Sequence, residues 1–197
     1  MASVIKSMRV EEATNTILES PYGIHSLVVY SDMATSREFW SFYIKKSIGE
    51  KNELVCLAPF YDTVDSVRKS FAEVGHMPID VTKRETDEKS LILVDSLEHY
   101  IDNNGSALTT KSLLQGIQHL VKYTNDLEKN GVSILGDMGA FLFKNQIQSL
   151  LDYELNLPDR FDMNLKGVCM YHQKDFDRLS KDSQKEIIEH HTIAVKI

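Results

Sequence analysis

The sequence predicts an α/β domain, a three-layer α/β/α sandwich built around a mostly parallel sheet. Three observations carry that expectation. Short runs rich in Val, Ile and Leu alternate with longer stretches of helical periodicity. The apolar runs are continuous, as in Leu27-Val28-Val29, Leu54-Val55-Cys56-Leu57-Ala58 and Leu91-Ile92-Leu93-Val94, which marks strands covered on both faces. A chain of 197 residues, 42% hydrophobic and 26% charged, can also bury about 70% of its surface and so build one proper core.

The strands expected are Ser26 to Tyr30, Glu53 to Pro59, Leu91 to Asp95, Val132 to Gly136, Gly167 to Tyr171 and Thr192 to Ile197. Ahead of them, Val10 to Leu18 forms an amphipathic segment, which divides the chain into residues 1–22 and a single domain over 23–197. Thr35 and Glu38 make a capping box for a helix that runs to about Ser47 and stops at Gly49. Asp62 caps the next, whose Val64, Val67, Phe71 and Val74 repeat every three or four residues until Gly75. The longest helix runs from about Leu108 and ends at a left-handed cap, Asn130-Gly131. Another spans Ala140 to Leu155, closed by Pro158, and Ser183 with Glu186 caps the last. His76 to Ser90, with Pro78 and many charges, reads as a solvated loop or a short extra strand. Strand, helix and strand in this order imply right-handed crossovers.

A net charge of −7 disfavours nucleic acid and anionic membrane surfaces as partners. No apolar run is long enough to span a bilayer and Met1 to Arg9 lacks the apolar core of a signal peptide, so a cytoplasmic location is expected. Cys56 and Cys169 form no disulfide framework and lie within apolar runs, as buried thiols do.

In α/β domains of this kind a nucleotide phosphate sits in the loop after the first strand. Here that loop, Tyr30 to Glu38, holds no glycine, carries Asp32, and no Gly-Lys pair occurs anywhere in the chain. Backbone amides therefore have no flexible loop with which to wrap a phosphate, and both a P-loop and a dinucleotide fingerprint are excluded. Nucleophile elbow and His-Glu-x-x-His zinc patterns are missing too. Cys169 and His172 are spaced like metal ligands but fall on opposite faces of a strand, so no metal or cofactor is expected. The His190-His191 pair reads as a solvated helix end favoured by the dipole, and Glu154 as solvated or paired.

Polar and aromatic residues gather at the strand ends: Tyr30 and Asp32, Phe60 to Asp62, Asp95, Asp137 and Met138, then Tyr171 and His172. In a parallel sheet these converge on one rim, which would suit a small, largely apolar organic molecule. Asp95 and Asp137 serve equally as polar anchors or helix caps, and His25, just before the first strand, serves as a donor or a structural group.

The chain resembles the MEDS family, a sensory domain named for methanogen and methylotroph regulators and a repressor of dichloromethane dehalogenation. The resemblance covers about residues 23–192 and rests on Gly23-Ile24-His25, Ile48-Gly49-Glu50, Leu91 to Tyr100 and Gly136-Asp137-Met138. It continues through Tyr153-Glu154, Val168-Cys169-Met170-Tyr171 and the terminal histidine pair. It implies a RecA/KaiC-like fold that has lost phosphate binding, no catalysis, and sensing of small hydrocarbon-like compounds. By motif position it points to His25, Tyr30, Asp137, Met138, Cys169 and Tyr171, to which the rim adds Asp95. Asp137, Ala140 and Met170 depart from the family's usual Glu, aromatic and polar residues. Family members are often fused to a histidine kinase or a helix-turn-helix module, so a separate kinase or transcription regulator, or a homo-oligomer, is the partner expected. Two alternatives stay open: a RecA-like scaffold acting through protein contacts without ligand, and an enzyme using Cys169 or the Asp95 and Asp137 pair.

Overall fold

Seven strands form one sheet in a computed structural model that describes residues 4–73 and 80–197. They are β1 (Lys6–Ser7), β2 (His25–Tyr30), β3 (Glu53–Ala58), β4 (Leu91–Leu93), β5 (Gly131–Asp137), β6 (Leu165–His172) and β7 (Ile193–Lys196). Their order is β1-β7-β2-β6-β5-β3-β4, and every pairing in it is parallel. All six expected strands are present; β1, two residues at the edge, carries too little apolar pattern to be read from the sequence.

Because side chains alternate along each strand, the sheet has two apolar faces, and each takes a helical layer. One face packs α1 (Val10–Leu18), α2 (Met33–Lys51) and α3 (Val64–Glu73) through Ile17, Phe39, Trp40, Tyr43 and Val67. The opposite face packs α4 (Ser96–Tyr100), α5 (Thr110–Asp126), α6 (Gly139–Phe143), α7 (Ile147–Asn156), α8 (Gln173–Phe176) and α9 (Lys181–His190). Tyr100, Ile117, Phe141, Leu150, Tyr153 and Ile187 fill that layer. The result is the expected α/β/α sandwich, with α1 bedded in the first core through Val10, Ala13 and Ile17.

Several helix ends differ from expectation. Asp32, one turn before the expected capping box, caps α2 by accepting from the Thr35 N–H at 2.9 Å. A carboxylate of the chain itself thus occupies the helix start where a P-loop would hold phosphate. Gly49 lies inside α2, which continues until Asn52 adopts a left-handed conformation at φ 51°. Asp62 does not cap α3: it takes a bidentate pair from Arg37 at 2.7 and 2.8 Å, while Thr63 accepts from the Ser66 N–H. The long helix α5 ends at Asp126, the left-handed residue after it is Glu128, and Gly131 already belongs to β5. Asn145, at φ 54°, splits the expected Ala140 to Leu155 helix into α6 and α7. Ser180, not Ser183, caps α9, accepting from the Ser183 N–H. Within the irregular stretch, Lys83–Asp87 forms a π-helical turn; Val74, Gly75 and the segment through Pro78 lie outside the described residues.

Gly23 sets the entry into β2. It sits at φ +91°, and a Cβ there would lie 2.4 Å from the Phe161 carbonyl oxygen. Gly23→Ala therefore combines left-handed strain of about 1–2 kcal/mol with a backbone clash. The expected result is an unfolding free energy, read from urea curves, lowered by at least that amount, whereas Gly116→Ala, in open space within α5, leaves it unchanged or raised.

Candidate functional site

Six of the seven residues expected at one rim are buried, Asp95 being half-buried, and five of them divide between the two faces of the sheet. His25, Cys169 and Tyr171 face the α5, α7 and α9 layer; Tyr30 and Asp137 face the α2 side. Alternation explains the split, since Tyr30 shares a face with Val28, and Tyr171 shares one with Cys169. Asp95 belongs to neither group: it caps α4, accepting from the N–H groups of Leu97 and Glu98. Met138, fully buried, follows β5 and packs in the second core.

The Tyr30 group is closed upon itself. Tyr30 donates to Asp137 Oδ2 at 2.6 Å, the Gly139 N–H donates to Oδ1 at 2.9 Å, and Ser96 Oγ donates to the Asp137 carbonyl. Burial raises the Asp137 carboxyl to about 7, against the lowering effect of these hydrogen bonds. Both carboxylate oxygens are engaged within the protein, which leaves none to anchor a ligand.

The other group is unsatisfied. β2 and β6 pair with His25 opposite Gly167 and Leu27 opposite Cys169, so the imidazole lies over a position without a side chain. A Cβ at Gly167 would stand 3.2 Å from the Phe161 ring and 3.5 Å from His25, so glycine makes room for both rings. His25 Nε2 lies 3.2 Å from Cys169 Sγ and 3.7 Å from Glu154 Oε2. His191, directly after α9, brings its Nε2 to 3.4 Å from the same carboxylate oxygen. Tyr171 donates to Glu154 Oε1, and His191 Nδ1 sits 2.7 Å from the Ile187 carbonyl. Glu154 Oε2, His191 Nε2 and His25 Nδ1 are buried with no hydrogen-bond partner among the described residues.

These groups overturn one expectation and narrow another. His191 is not a solvated helix end, being 5% exposed, and Glu154 is paired rather than solvated, wholly buried against His25, His191 and Tyr171. Helical spacing carried the signal in both cases: Gln184, Ile187 and His191 form one stripe, and Leu150, Tyr153, Glu154 and Leu157 another. The four potential metal ligands, His25, Glu154, Cys169 and His191, come within 4.8 Å of one another although no local spacing announces them.

Electrostatics define what the quartet can do. Burial and the neighbouring His191 push His25 down to about 3, against the pull of Glu154, so its imidazole is neutral at neutral pH. Burial also works to raise Glu154, but His191, His25 and the Tyr171 hydroxyl outweigh it and hold the carboxyl at about 2. The Cys169 thiol is driven far above its ordinary range by burial and by the Glu154 charge. A buried, protonated thiol is a poor nucleophile. Relay geometry is missing as well, because Glu154 and Cys169 both approach Nε2 of His25 while its Nδ1 is unpartnered. Cys56 is likewise buried, with its thiol pushed up to about 12.

Beside His25 and Cys169 lies a crevice of about 20 Å³ between the sheet and the α5–α7 layer, walled by Tyr100, Ile117, Tyr153 and Phe161. A side chain at Gly136 would collide with the Tyr100 hydroxyl, so glycine makes room for the end of that ring.

In this parallel α/β/α domain the start of helix α2 is capped by its own carboxylate, and several unpartnered polar atoms lie inside. The family model described as MEDS, MEthanogen/methylotroph, DcmR Sensory domain, matches residues 24–192, and the chain belongs to that family of sensory domains. No curated protein matches the chain. Among the described residues no helix is long and apolar enough to cross a membrane.

Proposed function

We propose that this sensory domain is non-catalytic and binds a small hydrocarbon-like organic molecule in the crevice beside His25 and Cys169, passing the change to a protein partner. The reading moves the ligand from the C-terminal rim to the interior, since Tyr30 and Asp137 satisfy each other. The observation that carries it is the crevice itself: apolar and aromatic walls with a few polar groups at one end. At about 20 Å³ it holds one water-sized body, so a compact organic molecule enters only by displacing Ile117 and Leu157. Those residues lie on α5 and directly after α7, so occupancy shifts helices on the outer layer. Such a shift is the differential interaction a sensor needs. In this reading a RecA/KaiC-like sheet has exchanged phosphate binding for an interior site, and the partner is a histidine kinase, a transcription regulator or a second copy. Phe143, 61% exposed, and Tyr61, 44% exposed, flank Phe60 and offer apolar surface to such a partner.

A thermal-shift screen of short-chain, halogenated and nucleotide compounds tests the proposal in the cytoplasmic-type reducing buffer it assumes. A binder at a hundred times its Kd stabilises the protein by about 2.7 kcal/mol. Gly167→Ala, which adds a methyl to the crevice wall, abolishes that stabilisation, and Asp95→Ala, outside it, keeps it. Stabilisation by ATP instead would sink the reading. Silence across the panel with a concentration-dependent melting temperature favours the scaffold that acts through protein or homo-oligomer contacts.

A further inference from the structure

We propose that His25, Glu154, Cys169 and His191 hold one divalent transition-metal ion of the zinc class, an assignment that goes beyond the sensing proposal and stands without it. Each ligand comes from a different part of the chain: β2, α7, β6 and the residue after α9. A tetrahedral ion with about 2.0–2.1 Å to nitrogen or oxygen and about 2.3 Å to sulfur has edges of about 3.3 Å between light atoms and about 3.6 Å to sulfur. The separations here are 3.2 Å from imidazole to thiol and 3.4 and 3.7 Å from the imidazoles to the carboxylate. The first pair opens by about 0.4 Å and the other two close by about 0.1 and 0.4 Å to reach such a shell, all four ligand atoms already lying within 4.8 Å of one another.

Three further features agree. Glu154 Oε2 and His191 Nε2, both buried and without a hydrogen-bond partner among the described residues, are the atoms a metal would satisfy. Their outer atoms are already held: Tyr171 orients the carboxylate through Oε1, and the Ile187 carbonyl accepts from His191 Nδ1, which leaves Nε2 as the ring nitrogen that faces the carboxylate. Such outer contacts are what ligating histidines and carboxylates require. Charge also balances, because the ion displaces the Cys169 thiol proton to solvent. Thiolate and carboxylate then neutralise the divalent charge beside two neutral imidazoles. Four protein ligands with mixed nitrogen, oxygen and sulfur suit a borderline-soft ion in a closed, structural site. The convergence of thiol and carboxylate on one imidazole nitrogen fits a shared central ion and not a proton relay.

The test loads the full chain by refolding it from guanidinium and chelator with cobalt(II), because the site is too buried to fill readily in the folded state. One cobalt per chain is expected, with a thiolate-to-cobalt charge-transfer band and the intense visible bands of tetrahedral coordination. Cys169→Ser removes the charge-transfer band and Cys56→Ser retains it; His191→Ala weakens cobalt binding at least tenfold. The proposal is overturned by wild-type protein that refolds and retains no cobalt. It is equally overturned by retained cobalt whose charge-transfer band is absent, or persists in Cys169→Ser. Organic binding without metal retention would leave the sensing reading intact and sink this one, and the reverse result would separate them in the other direction.

Discussion

Asp137→Asn melts only modestly above the parent protein at pH 5 and well above it at pH 8. The unfolded carboxyl titrates at the ordinary aspartate value of 3.8, and in the folded protein burial raises it to about 7. Between those values the native state holds a proton that the unfolded state has lost, so stability falls as pH rises through the window and levels off above about pH 8. A separation of about three units corresponds to about 4 kcal/mol as an upper figure, of which a comparison between pH 5 and pH 8 reads about 3 kcal/mol. The amide avoids this loss, since its oxygen can accept from the Gly139 N–H while its nitrogen donates to Tyr30. Parallel stability curves for the two proteins would show that Asp137 is ionised throughout, and that the Tyr30 group is an anion site after all.

Lys166→Met is expected to cost about 3–5 kcal/mol, the largest loss from any single change considered, read as a lowered urea midpoint. Lys166 is 3% exposed and reaches Glu53, itself fully buried, at 2.9 Å, with a second bond to the Leu18 carbonyl at 2.7 Å. The other oxygen of Glu53 accepts from Ser47 and Ser133, and the ammonium lies 4.9 Å from the Tyr22 ring centre. Removing the ammonium strands a carboxylate between three strands and two helices. Glu53→Leu together with Lys166→Met recovers most of the loss, because no charge is left unpaired, though the serine hydroxyls lose their acceptor. A single variant within about 1 kcal/mol of the parent would mean that water reaches Glu53.

The strands were legible because burial on both faces leaves unbroken apolar runs, and six of them matched to within a residue or two. Helix ends were less so. Asp62 has the composition of a cap, but Arg37, twenty-five residues earlier, takes its carboxylate and leaves Thr63 to do the capping. Gly49 fails to stop α2 because the packed face from Phe39 to Ile48 outweighs the roughly 1 kcal/mol that glycine costs in a helix. At the site, alternation correctly separated Cys169 and Tyr171 from Met170 and His172, and the same rule applied across strands separates Tyr30 from Tyr171.

The sequence by itself determined the α/β class, the strand positions, the two buried thiols and the lack of a phosphate cradle after the first strand. Each depends on local composition or on a period of two or three to four residues. Only the tertiary structure decided that His25, Glu154, Cys169 and His191 meet. Periodicity shows which face of an element a residue occupies; it does not say which faces of distant elements are pressed together. That is set by the strand order, which places β2 between β6 and β7 and brings α7 and α9 down over both, so that four residues spread over 167 positions share one buried volume.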